Sequence, residues 1–98
     1  MSTYIILGSF TRRGIEKIRE SPDRLAAAKK AFRAAGAELK QFYLVTGGFD
    51  MIVIAEAPDA ETIAKVSLLI GSQGSVRTET LRAFTEEEYQ GLIAGLPS

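Results

Sequence analysis

Asp50, Arg77, Ser9, Tyr43, Phe49 and Glu79 are the residues whose types and spacing point to chemistry. Asp50 and Glu79 supply carboxylates, Arg77 a guanidinium, Ser9 and Tyr43 hydroxyls, and Phe49 an apolar ring beside a glycine pair. An acid, a guanidinium and the positive end of a helix in one crevice could hold a small polar ligand. Asp50 also has a structural reading, which is the commoner one for an Asp beside a glycine turn. There it pairs with a nearby Arg or accepts hydrogen bonds from free amides. General acid–base work by Asp50, Glu79 or Tyr43 would require a pKa shifted by the surroundings.

Much other chemistry is excluded by composition. The chain has 0 His and 0 Cys, which removes Ser-His-Asp and Cys-His nucleophiles, disulfides, imidazole acid–base catalysis and zinc sites built on those ligands. Gly71-Ser-Gln-Gly74 has neither the Lys of a phosphate loop nor the strand that precedes one, so it reads as a helix exit. Glu86-Glu87-Glu88 points in different directions around a helix, and capping explains the run better than divalent-ion chelation. We therefore expect no cofactor and no metal. Tyr4, Phe42, Tyr43 and Phe49 could stack on a ligand, but aromatics on strands usually belong to a core or an interface.

The elements that must position these residues are legible in order. Thr3 to Phe10 reads as a strand, rich in β-branched and aromatic residues. Thr11 caps a short helical piece carrying Ile15 and Ile18. Ser21 caps the next helix, with Pro22 at its first position and Asp23 in its first turn. That helix carries an apolar stripe of Leu25, Ala28, Phe32 and Ala35 and closes at Gly36. Leu39 to Thr46 and Phe49 to Ala57 form two strands joined by Gly47-Gly48, a pair suited to a tight two-residue hairpin. A helix with Ile63, Val66 and Ile70 on one stripe follows Pro58-Asp59 and is released at Gly71 and Gly74. Ser75 to Phe84 is a fourth, more polar strand. Thr85 with Glu88 makes a capping box for a last helix bearing Tyr89, Leu92, Ile93 and Leu96.

The order βαββαβ plus a terminal helix is α+β and packs as one antiparallel sheet, order 4-1-3-2, with two helices on one face. This is the ferredoxin-like fold, a single domain over residues 1–98. It converges Ser9, Tyr43, Phe49, Asp50 and Arg77 at one end of the sheet. The two central strands are apolar at both parities, Tyr4 and Ile6 against Ile5 and Leu7, and Met51, Val53 and Ala55 against Ile52 and Ile54. Helices of the same chain cover one face, and an apolar patch on the other is rarely left in water. Either a second copy packs sheet to sheet, in a dimeric α/β barrel, or the terminal helix folds over the free face. We expect the second copy, because 98 residues bury a thin core.

Charge balances overall and not locally. Twelve basic and twelve acidic residues cancel, yet residues 1–40 hold nine basic and four acidic, 9 − 4 = +5, and residues 41–98 hold three and eight, 3 − 8 = −5. Glu16, Glu20, Asp23 and Glu38 dilute the basic segment, and no nucleic-acid module is recognisable, so no nucleic-acid partner is expected. Tyr4 to Leu7 is too short an apolar run for a secretory signal, and nothing approaches a membrane span, so the expectation is a cytoplasmic protein without membrane contact.

Gly48-Phe49-Asp50 resembles the Gly-Tyr-Asp signature of the GYD domain proteins, small bacterial and archaeal chains. The likeness extends to Tyr4-Ile-Ile-Leu-Gly-Ser-Phe-Thr11, Ser21-Pro22, Phe42-Tyr43, Val53-Ile-Ala-Glu-Ala-Pro-Asp59 and Val76-Arg-Thr-Glu-Thr-Leu-Arg-Ala-Phe-Thr85, nearly the whole chain. Phe49 stands where the signature has Tyr, which argues against an essential hydroxyl there. The resemblance implies the architecture of dimeric α/β barrel proteins and carries no reaction with it. The expectation is a homo-oligomeric small-ligand-binding or assembly domain without established catalysis. Its rivals are a cofactor-independent enzyme, monooxygenase- or isomerase-like, acting on a small hydrophobic substrate, and, more weakly, a regulatory or nucleic-acid-associated module.

Overall fold

A computed structural model describes residues 1–98. Strand β1 (Ser2–Phe10) leads into a short helix α1 (Arg12–Glu16), whose first turn is capped by the Thr11 hydroxyl accepting from the Gly14 N–H. A 3₁₀ turn (Ile18–Glu20) runs directly into α2 (Ser21–Ala34). Ser21 is therefore already helical and does not cap; Glu20 holds the cap position without a side-chain bond, and Pro22 falls in the first turn where a missing N–H costs nothing. Gly36, at φ +85°, ends the helix as expected.

Strand β2 (Glu38–Leu44) and strand β3 (Met51–Ala57) are shorter than the pattern suggested. The Val45 N–H donates to the Asp50 carbonyl at 2.8 Å, so the connection is longer than a two-residue hairpin. Only Gly47 of the pair takes positive φ, at +134°. Helix α3 (Ala60–Ser72) runs through Gly71 and is released by Gly74 at φ +81°. Strand β4 (Val76–Ala83) then precedes α4 (Glu86–Ala94), and the Thr85–Glu88 capping box is formed in both directions.

The two capped carboxylates show the physics of helix starts. The backbone N–H of Thr62 holds the Asp59 carboxyl below its ordinary value of 3.8, and that of Thr85 holds Glu88 below 4.5. Hydrogen bonds to the charged form favour it.

The sheet is antiparallel throughout, order β2-β3-β1-β4, the expected 4-1-3-2 arrangement read from the other edge. Tyr4 and Ile6 on β1 and Val53, Ala55 and Ala57 on β3 are buried together with Phe32 of α2 and Ile63 and Val66 of α3. Phe32 is 1 % exposed and is the largest fully buried side chain. Burying an aromatic of that size contributes on the order of 2–3 kcal/mol. α1 is locked to the start of β4: Thr11 donates from its N–H to Ser75 and from its hydroxyl to Gly74, both to backbone carbonyls. Gly14 makes the closest approach there, since a Cβ at that position would sit 2.1 Å from the Ser75 carbonyl oxygen.

Helix α4 lies apart. None of its residues is buried; Tyr89, Leu92 and Ile93, and Leu96 just past the end of the helix, are all more than half exposed. The radius of gyration is 14.9 Å with extents of 54 × 31 × 18 Å, against about 12.5 Å for a compact chain of this length. The terminal helix thus does not fold back over the free face of the sheet. What orients it is Arg82, whose guanidinium lies 4.3 Å from the centre of the Phe84 ring and 3.7 Å from a Glu88 carboxylate oxygen.

Candidate functional site

At one end of the sheet, Ser9 of β1 stands directly opposite Arg77 of β4. Asp50 reaches the other side of β1: its N–H donates to the Gly8 carbonyl at 2.9 Å, and its Oδ2 accepts from the Phe10 N–H at 2.9 Å. Asp50 therefore brackets Ser9 from both flanks. Because Met51 is already registered against Gly8, two residues of the β3 side meet one of β1, the arrangement of a bulge. A carboxylate takes the place of the ladder carbonyl that the turning chain removes. This is the structural work that an Asp beside a glycine turn does when a free amide faces it.

The other candidate residues lie further along. Tyr43 is registered against Ile52, Ile52 and Leu7 are neighbours across β3 and β1, and Leu7 is registered against Glu79. Tyr43 and Glu79 thus occupy the two edge strands of one row, about 14 Å apart at the strand spacing. Two aliphatic residues separate them. Phe49 sits half-buried in the turn. Ser9, Asp50 and Arg77 are brought together; Tyr43 and Glu79 frame the apolar centre of the same face.

That face is the second feature. Ile5, Leu7, Ile52 and Ile54 alternate with the buried helix-facing residues and stay half-buried, with Leu81 at 43 % exposure beside Ile5. Its centre is aliphatic, one end carries Ser9 and Arg77, and the other carries Glu56 and Thr3. Alternation along β1 and β3 was visible in the sequence as a failure to alternate in polarity.

The opposite face holds what the sequence did not signal. A cleft of about 230 Å³ opens between α2 and the sheet, floored by Gly8 and Met51 and walled by Phe32 and Phe42. None of Ser9, Tyr43, Phe49, Asp50, Arg77 and Glu79 lines it. Its walls come from both helices and all four strands, so no local run of sequence encodes it.

A four-stranded sheet of order 2-3-1-4 with two helices on one face defines a ferredoxin-like α+β protein. The model of the GYD domain matches residues 4–93, and the chain belongs to that family. It is 36 % identical over 84 residues to the glutamine synthetase and cystathionine beta-lyase binding protein of Thermus thermophilus, covering 85 % of this chain and 88 % of the relative. Among solved structures it is similar to TTHA0845 from Thermus thermophilus, at 28 % identity and a TM-score of 0.56, covering 87 % of this chain and 95 % of that one. It shares the fold of FFRP-DM1 at 24 % identity and a TM-score of 0.61, covering 86 % and 100 %. No helix of the chain is long and apolar enough to cross a membrane.

Proposed function

We propose that this chain is a non-catalytic binding domain that acts as a homo-oligomer, its open sheet face covered by a second copy. The observation that carries the reading is the aliphatic row on that face, Ile5, Leu7, Ile52 and Ile54, left uncovered by α4. An apolar surface of this extent favours a partner, and a self-complementary patch related by a two-fold axis is the commonest solution. The sheet face measures about 19 by 23 Å, on the order of 450 Å² in projection. A stable interface buries about 800 Å² per partner. The exposed Tyr89, Leu92 and Ile93 of α4, with Leu96 just beyond it, supply the remainder, docking on the same second copy.

Sedimentation equilibrium at micromolar concentration tests this. We expect a dimer or a closed multiple of it, and a monomer in Leu7→Glu with the far-UV circular dichroism unchanged. A wild-type protein that stays a single copy at 10-fold higher concentrations overturns the reading.

A second reading is favoured by the relative of Thermus thermophilus, whose name describes a protein that binds two enzymes. On that reading the assembled domain docks onto an enzyme. Co-sedimentation with purified glutamine synthetase tests it, with the Leu7→Glu monomer as the comparison.

A further inference from the structure

The cleft between α2 and the sheet is built from a gap in an otherwise filled core. On α2, Leu25 and Phe32 are separated on the same stripe by Ala28, and all three line the cleft. Beneath them the floor is Gly8, where a Cβ would stand 2.7 Å from Met51 Cγ and 3.4 Å from Val76 Cγ1. Met51 thus packs over the place a Gly8 side chain would take, and Ala28 is the short side chain that leaves the space between aromatic and aliphatic walls. Native cores rarely leave voids larger than a water molecule. A dry apolar cavity of about 150 Å³ takes up benzene, so 230 Å³ accommodates about nine non-hydrogen atoms by the same scale.

The rim is polar and fixed in place. Arg24, on the first turns of α2, donates to the Lys17 carbonyl at 2.9 Å and to the Gly14 carbonyl at 3.4 Å. Across from it, Ser75 is held by the Thr11 N–H at 3.1 Å. The entrance is therefore preorganised by bonds between α1, α2 and the start of β4, and costs little ordering when filled. Arg24 is the one charged residue lining the cleft, and no acidic residue does. No buried side-chain nitrogen or oxygen lacks a hydrogen-bond partner, so nothing polar inside calls for a polar ligand body.

We infer that this cleft is a binding site for a small hydrophobic molecule with an acidic head, such as a medium-chain or aryl carboxylate, its hydrocarbon body on Gly8, Ala28 and Phe32 and its head toward Arg24. The site lies on the face of the sheet opposite the self-association surface and stands or falls independently of it.

Octanoate, octanol and octylamine, titrated into ¹⁵N-labelled full-length protein, test the assignment by the amide shifts they cause. Octanoate is expected to shift the amides of Gly8, Ala28 and Ser75 saturably. Octanol is expected to bind the same amides several-fold more weakly, and octylamine at least 10-fold more weakly. Ala28→Phe fills the space from a half-buried helix position and is expected to weaken octanoate at least 10-fold while keeping the native spectrum. Arg24→Gln should weaken octanoate and leave octanol unchanged. The proposal is overturned if none of the three ligands moves those amides at millimolar concentration, or if the shifts fall on Ile5, Leu7 and Ile52 instead. Octylamine binding as tightly as octanoate overturns the acidic head. These readings come from wild-type protein, so a misfolded variant does not shelter the proposal.

Discussion

The Asp50 carboxylate accepts the backbone N–H of Phe10 at 2.9 Å, joining residues forty positions apart. That one bond pins the turn between β2 and β3 to the end of β1, at the point where β1 hands over to α1. We predict that Asp50→Ala destabilises the fold by about 1.5–3 kcal/mol, the range for a hydrogen bond to a charged group. Asp50→Asn, which keeps an acceptor oxygen, should recover most of it. Urea midpoints of the three proteins decide the matter, and equal midpoints would remove the structural role.

Gly14→Ala should be among the most damaging single substitutions available. The new methyl would meet the Ser75 carbonyl oxygen at 2.1 Å, and that oxygen is itself bonded to the Thr11 N–H. Backbone must move to admit it, at about 1–3 kcal/mol by the usual cost of overpacking and toward the upper end here, where the obstacle is a backbone oxygen. Thermal unfolding reads the loss directly. Gly48→Ala, where a Cβ meets nothing within 4 Å, is the control and should behave as wild type.

Acid should loosen the starts of α3 and α4 together. The Asp59 and Glu88 carboxyls have folded pKa values lowered beneath 3.8 and 4.5 by the N–H groups they accept from. Each contribution is complete above the unfolded value and disappears as the pH falls through the lowered folded value. Protection factors of the amides in the first turns of both helices, corrected for intrinsic exchange, should therefore fall below about pH 4. Asp59→Asn retains a competent cap and should flatten that dependence for α3 alone.

Arg82→Ala should free α4 while leaving the sheet intact. Its guanidinium sits over Phe84 at 4.3 Å and over Tyr4 at 5.7 Å. Exposed contacts of this kind contribute about 0.5–1 kcal/mol each, so the unfolding midpoint should move little. Proteolytic cleavage between Ala83 and Glu86 should accelerate several-fold, which limited digestion with mass spectrometry would register.

Local rules were readable from the chain because they act over three or four residues. The Thr85–Glu88 capping box, the Thr11 cap and the helix ends at Gly36 and Gly74 all follow from neighbours in sequence. The order of elements and the uncovered sheet face followed from polarity counts on β1 and β3. The misreadings share one cause, contact with something distant. A two-residue turn at Gly47-Gly48 yields to a longer one because β1 captures Asp50. Ser21 is helical because a 3₁₀ turn already feeds α2. The cleft leaves no signal in the chain, since Gly8, Ala28 and Met51 are unremarkable until the fold sets them together.

The detachment of α4 has an evolutionary corollary. The densely interlocked part of the protein ends at Ala83, and no interior side chain leans on the residues beyond it. Replacements among the last dozen positions escape the constraint that governs the rest of the chain. Sequence drift in that tail therefore leaves the packed scaffold unchanged.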